Sequence, residues 1–425
     1  MSGKRTFAAL AVYNFRLFWI ASLIANLGHW VSIIAQDWLV LTILTDNSAT
    51  ALGMVTGLQF LPIPIVSPFA GLVADRFPKR LVVQCTQGAL GLNAALLAAL
   101  VTFDVAELWH VYVLAFVTGT IQSFDAPARQ AIVSEMVDER LLPNAVGLNS
   151  MQFNSARLVG PAVSGLLIGW FGVAPALWIN AISFVPPLLA LGMMRVDELH
   201  PPKPFKGKGA IREGLRYVRG RRDLQMIFLI VFVLGTFGLN FQVTNALMAT
   251  EIYHKQADGY GLLGSMMAVG TLAGAIWAAR RGYPRVGTLV GALFGFGVCC
   301  LLLTTSPWFW LFGLLLVPTG LLSITVLTTA NSRTQLTTDP TIRGRVMSLY
   351  MAIFLGGTPL GAPLVGWVGE MWGARATLHV GAWSTILTAV FVGGVLLVTR
   401  ERYPAPLHFL EDVRDRVRRR RRRPR

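Results

Sequence analysis

The sequence predicts an all-α polytopic membrane protein with twelve transmembrane helices arranged as two six-helix repeats. Three observations predict it. Of 425 residues, 54% are hydrophobic and only 14% are charged, and the mean hydropathy is +0.57. Soluble proteins carry about 25% charged residues, so an ordinary globular chain is excluded, as is a disordered one. Twelve apolar runs each approach the ~20 residues a helix needs to cross a hydrocarbon core. Basic residues collect in alternate loops between those runs, the pattern that orients helical membrane proteins. None of the runs shows the polar–apolar alternation of a membrane β-strand.

The runs lie near 17–42, 50–73, 81–103, 108–124, 146–170, 173–195, 223–250, 259–280, 286–304, 308–329, 346–369 and 375–399. The first is longer than the apolar region of a cleavable signal peptide and reads as a retained helix. Even loops hold Arg76, Lys79 and Arg80, then Arg129 and Arg140, then a dense set from Lys203 to Arg222. Arg280, Arg281 and Arg285 follow, then Arg333, Arg343 and Arg345. Odd loops hold only Lys255 and Arg375. Both termini are therefore expected in the cytoplasm, with the chain in the plasma (inner) membrane.

Residues 1–195 form the first half and 223–399 the second. Between them, 196–222 carries Pro201, Pro202 and Pro204, then a basic stretch from Arg212 to Arg222. An amphipathic helix at the membrane surface is expected there. The tail, 400–425, has nine arginines between Arg414 and Arg425. It is expected to contact anionic lipids. No aromatic interleaving or binding motif points to nucleic acid.

The halves repeat. Gly160, Gly165 and Gly172 match Gly361, Gly366 and Gly373 at one offset of 201, with Pro161 and Pro363 nearby. The same offset sets Arg80 against Arg281. Six-helix repeats about an axis normal to the membrane describe a transporter architecture.

The sharpest motif joins spans two and three: Gly71-Leu72-Val73-Ala74-Asp75-Arg76-Phe77-Pro78-Lys79-Arg80. It resembles the loop signature of the major facilitator superfamily, Gly-x-x-x-Asp-Arg-x-Gly-Arg-Lys/Arg. Pro78 stands where the family has glycine, and Lys79 where it has arginine. The resemblance implies a cytoplasmic gate built from Gly71, Asp75, Arg76, Lys79 and Arg80. Asp75 suits a helix N-terminus, and Arg76 suits bidentate contacts that hold the gate shut.

Gly160-Pro161-x-x-Ser164-Gly165 resembles the fifth-helix motif of the superfamily's antiporters, with serine for one glycine. Proline removes a backbone donor and bends a helix. Ala156, Gly160 and Ser164 form a small-residue packing face. The fourth-helix antiporter motif is not met, since Thr118 stands where its arginine belongs. Residues 35–41, 125–130 and 142–146 look instead like the enterobactin-exporter-like branch. That branch implies export of siderophore-like or drug-like amphipathic molecules by proton antiport with alternating access. An importer or a lipid-like flippase of the same fold is the alternative.

Ionisable groups inside a bilayer are functional candidates by default. Asn26, His29, Trp30, Ile33 and Asp37 share one face of the first span. Asp37 lies 21 residues beyond Arg16, about 31 Å along a helix and near the outer boundary. Proton coupling and a capping or interfacial role both fit, with Asp37 facing an outward vestibule or solvent. His29 sits nearer the midplane and titrates near neutrality; a packed, hydrogen-bonded histidine fits equally. Arg157 is well inside span five and needs a partner or water. Asp37 and Asp125 are the acids on offer, each about 15 Å away in depth. Arg157 reads either as a cavity residue for an anionic substrate or as a structural anchor.

Span seven offers Thr236, Asn240 and Thr244 at helical spacing, beside Phe237 and Phe241, with Glu251 on the same face. The stripe fits an amphipathic substrate or hydrogen bonding between helices. Thr118, Gln122 and Asp125 line up similarly in span four, with Asp125 expected to cap the loop. No phosphate-binding loop and no catalytic HExxH or GxSxG motif occurs. Cys85, Cys299 and Cys300 have no metal-ligand spacing. No cofactor, metal or enzymatic activity is expected. The expected partners are a small molecule and protons, and the expected state is a monomer.

Overall fold

The computed structural model describes residues 7–199, 211–280 and 284–399. The Arg-rich tail, residues 200–210 of the linker, and Arg281 lie outside the described residues. Among the described residues there are seventeen α-helices and no strand, and sixteen of the helices make twelve membrane-length segments. Span one is α1 (Tyr13–Trp38), continued by a π turn over Leu39–Leu44. Span two is α2 (Ala49–Phe60) and α3 (Pro62–Arg76). Spans three to five are α4 (Lys79–Thr102), α5 (Leu108–Met136) and α6 (Leu142–Phe171). Span six is α7 (Val173–Ser183) and α8 (Val185–Met193). The linker supplies α9 (Ile211–Arg219).

Span seven joins α10 (Arg222–Val233), a π turn over Leu234–Gly238, α11 (Phe241–Leu247) and a π turn over Met248–Ile252. Spans eight to ten are α12 (Ala257–Arg280), α13 (Val286–Thr304) and α14 (Phe309–Thr337). Span eleven is α15 (Arg343–Gly356) and α16 (Thr358–Trp372), and span twelve is α17 (Ala374–Thr399). Ten of the segments meet length and hydropathy criteria for membrane crossing among the described residues. Spans four and five are long enough, at 29 and 30 residues, but more polar.

The breaks have local causes. Span two is interrupted at Leu61, just before Pro62 and Pro64. Span six breaks at Phe184, before Pro186 and Pro187, and span eleven at Gly357, before Pro359. Proline lacks the donor that would continue the ladder. Span seven breaks at Leu239 and Asn240 without proline. There the Asn240 side chain donates to the Thr236 carbonyl at 2.7 Å. A side chain thus satisfies a backbone group in a place where lipid offers no partner.

Packing repeats between the halves. Span one packs on spans five and six, as span seven packs on eleven and twelve. Span three packs on four and six, as span nine packs on ten and twelve. Two seams join the halves, span five against eight and span two against eleven. The seams are built reciprocally. A Cβ on Gly261 would strike the Pro161 carbonyl, and one on Gly53 the Ala362 carbonyl. A Cβ on Gly165 would strike the Ala257 carbonyl, and one on Gly366 the Ala49 carbonyl. Small residues let membrane helices approach to backbone contact.

The two ends of the bundle differ in charge. One carries Lys79, Arg80, Arg140 and Arg345, the other Asp46, Asp104, Glu107, Asp258 and Glu370. The tight seams lie toward the acidic end. Toward the basic end, spans two and eleven keep a lighter contact between α3 and α15, with Gly356 near Pro64.

Four expectations are corrected. Span four runs to Met136 rather than residue 124, because its last polar residues find partners inside the bundle. Span ten likewise runs to Thr337. Thr236, Asn240 and Thr244 do not form a regular stripe, because span seven is broken between them; all three are buried. The basic linker helix is confined to α9, which docks on the protein rather than lying free: Glu213 pairs with Arg345, and Gly214 abuts the Arg345 backbone.

Gly172 and Gly373 close the turns after spans five and eleven with φ of 85° and 84°. Their ψ values of 179° and 165° put both in a region that only glycine occupies without strain. Gly172→Ala and Gly373→Ala should each lower thermal stability in detergent, by about 1–3 kcal/mol. Gly169→Ala, at a helical site with open space around it, should leave it unchanged or raise it. Equal melting of all three variants and the wild type would contradict this account of the turns.

Candidate functional site

Asp37 is fully buried at the acidic end. Its carboxylate accepts a hydrogen bond from the Tyr260 hydroxyl at 2.6 Å and one from the Gln242 side-chain amide at 2.8 Å. Asp37 belongs to span one, Gln242 to span seven and Tyr260 to span eight. The bonds therefore cross from one half to the other. Charge-assisted bonds of this kind are stronger than neutral ones. The carboxylate is not exposed to a vestibule or to solvent, as its depth alone suggested, because span eight covers it.

A second acid crosses the halves nearby. Glu370, on span eleven, accepts from the Ser48 hydroxyl and from the Thr50 N–H, both at 3.0 Å. Ser48 is also the N-cap of α2, accepting from the Ala51 N–H. Glu370 thus sits where the helix macrodipole favours a negative charge.

Gln242 has a second surface. It lines a cavity of about 170 Å³ between spans two, seven and eleven, with Thr56, Phe60, Asn240 and Phe354. The residue that holds Asp37 is therefore part of a pocket wall between the halves.

Another polar cluster lies within the first half. Asp125 is buried and accepts from Thr86 at 2.6 Å and Gln87 at 2.9 Å, both on span three. Arg129 grips its other oxygen bidentately, at 2.8 and 2.6 Å. Asp125 does not cap a loop: span four continues for eleven residues past it, to Met136. His29 is half-buried on span one, within electrostatic reach of Asp125 and Arg129.

The structure thus separates the residues that the sequence put on one candidate list. Asp37 and Asn240 lie near the inter-half cavity. His29 lies toward the Asp125 cluster. Glu251 sits at the acidic end of span seven and accepts a backbone hydrogen bond from Ala374, at the start of α17. Asn26 and Arg157 are half-buried. Arg157 pairs with neither acid, since Asp37 is held by Tyr260 and Gln242 and Asp125 by Arg129.

The residues of the loop motif are placed as follows. Gly71 and Asp75 lie in α3, in the last turns of span two, and their side chains are outside the described residues. Asp75 is thus near a helix C-terminus rather than an N-terminus. Arg76 is exposed. Lys79 faces Glu135 at 3.6 Å. Arg80 donates to the carbonyls of Leu191 and Gly192, at the end of span six. Lys79 and Arg80 therefore tie spans three, four and six of one half together. In the span-five motif, Gly160 packs on Trp30, Pro161 on Gly261 and Gly264, and Gly165 on Ala257. Ser164 donates to the Gly160 carbonyl.

Residues 4–413 match the profile of the transmembrane secretion effector family. The staphyloferrin A transporter of Staphylococcus aureus (strain NCTC 8325 / PS 47) is 24% identical over 387 residues, covering 88% of this chain and 95% of that protein. The multidrug efflux pump Tap of Mycobacterium tuberculosis (strain ATCC 25618 / H37Rv) is 26% identical over 370 residues, covering 84% and 87%. Among solved structures, the nucleoside transporter NupG superposes with a TM-score of 0.68 at 12% identity, covering 92% of this chain and all of that one. A bacterial homologue of the human lysosomal transporter Spinster, inward-facing and unoccupied, gives 0.67 at 13% identity, covering 90% and 94%.

The bond across the halves is testable directly. In a background without Cys85, Cys299 and Cys300, Tyr260→Phe should speed labelling of Thr56→Cys by an impermeant maleimide from the acidic side, at pH 8. The expected gain is about threefold or more, the scale of one lost hydrogen bond to a charged group. An unchanged rate would show that this bond does not hold the acidic end closed.

Proposed function

Starting from the fact that the chain belongs to the transmembrane secretion effector family of major facilitator transporters, we propose that it exports small amphipathic molecules by proton antiport. It is a transporter and not an enzyme. The relatives named above include an efflux pump and a siderophore transporter, and export is the direction they support for this chain. The basic end is cytoplasmic by the distribution of Lys and Arg. Transport proceeds by rocking of the two halves about the cavity between them.

One observation carries the coupling. Gln242 both donates to Asp37 and lines the inter-half cavity. Substrate in the cavity and a proton on Asp37 therefore act on the same side chain. The sign follows from solvation. Asp37 has two neutral donors as hydrogen-bond partners and no cation among them. Burying such a charge is costly, and protonation removes the cost. In the outward-open state Asp37 meets external water and takes up a proton. The neutral acid is then buried more readily, which returns the transporter to the state closed on the acidic side. Substrate entering from the cytoplasm displaces Gln242 from Asp37. The proton then leaves Asp37 through the cavity to the cytoplasmic side. The ionised acid, costly to keep buried without its donor, drives the outward opening that releases substrate. The cycle exchanges protons in for substrate out.

Everted vesicles energised by a pH gradient test this with rhodamine 6G, ethidium and 5-carboxyfluorescein as probes. Wild-type protein should accumulate at least one of them in a gradient-dependent way. Asp37→Asn should lower that accumulation by about tenfold or more, since a fixed neutral side chain cannot cycle a proton. Undiminished pumping by Asp37→Asn would remove Asp37 from the coupling. Accumulation only in right-side-out vesicles would reverse the direction.

A further inference from the structure

Arg157 is a guanidinium inside a membrane span that meets no carboxylate among the described residues. The acids described within the spans of the first half are Asp37, Asp125 and Glu135, and all three are committed to other partners. No hydrogen bond or ion pair joins Arg157 to any described residue. Yet Arg157 is half-buried at the centre of span five, where an unpaired cation is costly. Such a residue persists where water or a ligand supplies the missing anion.

The register of spans one and five shows what lies beside it. These spans run parallel and touch at two levels. The Trp19 indole donates to the Leu148 carbonyl, and Gly160 packs on Trp30. The offsets, 129 and 130 residues, agree. Asn26 lies on the same stripe of span one as Trp19 and Trp30, seven residues after one and four before the other. The register therefore sets Asn26 level with Ala156 and Arg157. Asn26 is half-buried, and its amide has no partner among the described residues.

The direction of Arg157 follows from its neighbours on span five. Gly160, three residues on, packs against span one. Pro161, four residues on, packs against Gly261 of span eight. A side chain at position 157 falls on the arc between those faces, one turn toward the basic end. That places it at the junction of spans one, five and eight, just below the tight part of the seam.

We propose that Arg157 and Asn26 form an anion subsite that receives a carboxylate of the transported molecule. Guanidinium is the cation best matched to a carboxylate, through two parallel N–H bonds. The Asn26 amide supplies a further donor, and the half-buried Trp30 ring one turn above receives the apolar body beside the charged group. The substrate class is thus an amphipathic carboxylate. The proposal rests on the reading that a small molecule enters between the halves, and it narrows that reading to anions.

Equilibrium binding to the purified full-length protein tests it without requiring transport. The probes are 5-carboxyfluorescein, an anion, and rhodamine 6G, a cation of similar size, each followed by fluorescence anisotropy. Arg157→Gln should weaken 5-carboxyfluorescein by about tenfold or more, the scale of lost bonds to a charged group. Arg157→Lys keeps the charge but loses the second parallel N–H bond, so its affinity for 5-carboxyfluorescein should fall between those of the wild type and Arg157→Gln. Asn26→Asp supplies the absent acid, and it should weaken the anion by about tenfold while leaving or strengthening rhodamine 6G. Equal anion affinity in wild type and Arg157→Gln would overturn the subsite. So would an equal loss for both dyes, or no anion binding by the wild type. Arg157-dependent binding without pH-driven transport would leave the subsite standing and sink the exporter reading instead.

Discussion

Asp37 is a carboxylate buried between two halves of a membrane protein, and its donors come from the half to which it does not belong. A charge in that position is tolerated only while Tyr260 and Gln242 are in place. The acidic end therefore closes with this contact or pays desolvation without it. Glu370 reinforces the closure from the opposite half, at the start of α2. The cavity lies just beneath, and Gln242 is in its wall. Closure, cavity and a titratable group thus meet at one side chain.

The glycine seams make that contact possible. Gly53, Gly165, Gly261 and Gly366 bring spans two and eleven, and five and eight, to backbone distance. A bulkier residue at any of them would hold the halves apart and leave Asp37 short of its donors. The pattern is reciprocal because the halves repeat: Pro161 and Ala362, whose carbonyls face Gly261 and Gly53, stand 201 residues apart. The broken helices belong to the same design. Span seven unwinds at Leu239 and Asn240, directly before the turn that presents Gln242. Irregular backbone is tolerated at membrane depth where it borders a cavity.

Most of the fold was legible in the sequence, because hydropathy and the alternation of basic loops report on the same twelve crossings. The repeat was legible too, since glycines at seams and turns cannot be replaced by residues with a Cβ. Span seven looks in sequence like a regular polar stripe, which the folded chain does not have. No proline marks its break, and Asn240 repairs its own backbone from a position that looks like part of a helical face. Asp37 stands out in the sequence, but its partners do not. Tyr260 near a helix end resembles an interfacial aromatic, and Gln242 fell off the assumed stripe. The pairing of Asp125 with Arg129 had a visible signal in its i, i+4 spacing. Hydropathy alone ends span four at residue 124, which places both residues in a loop and hides the pair. That Arg157 has no partner among the described residues depends on where the neighbouring acids point, which only the folded chain reveals.

The most direct measurement of the central claim is the distance between spin labels at Asp46→Cys and Lys255→Cys, across the acidic end, in the same cysteine-free background. It should be taken by double electron–electron resonance between about pH 8 and about pH 5, the range over which a buried carboxyl can change charge. If the burial of Asp37 governs closure, acid will shift the distribution toward the shorter, closed distance. Asp37→Asn will give that closed distribution at every pH. A distribution that widens in acid, or an Asp37→Asn variant that keeps the wild-type response, would contradict it.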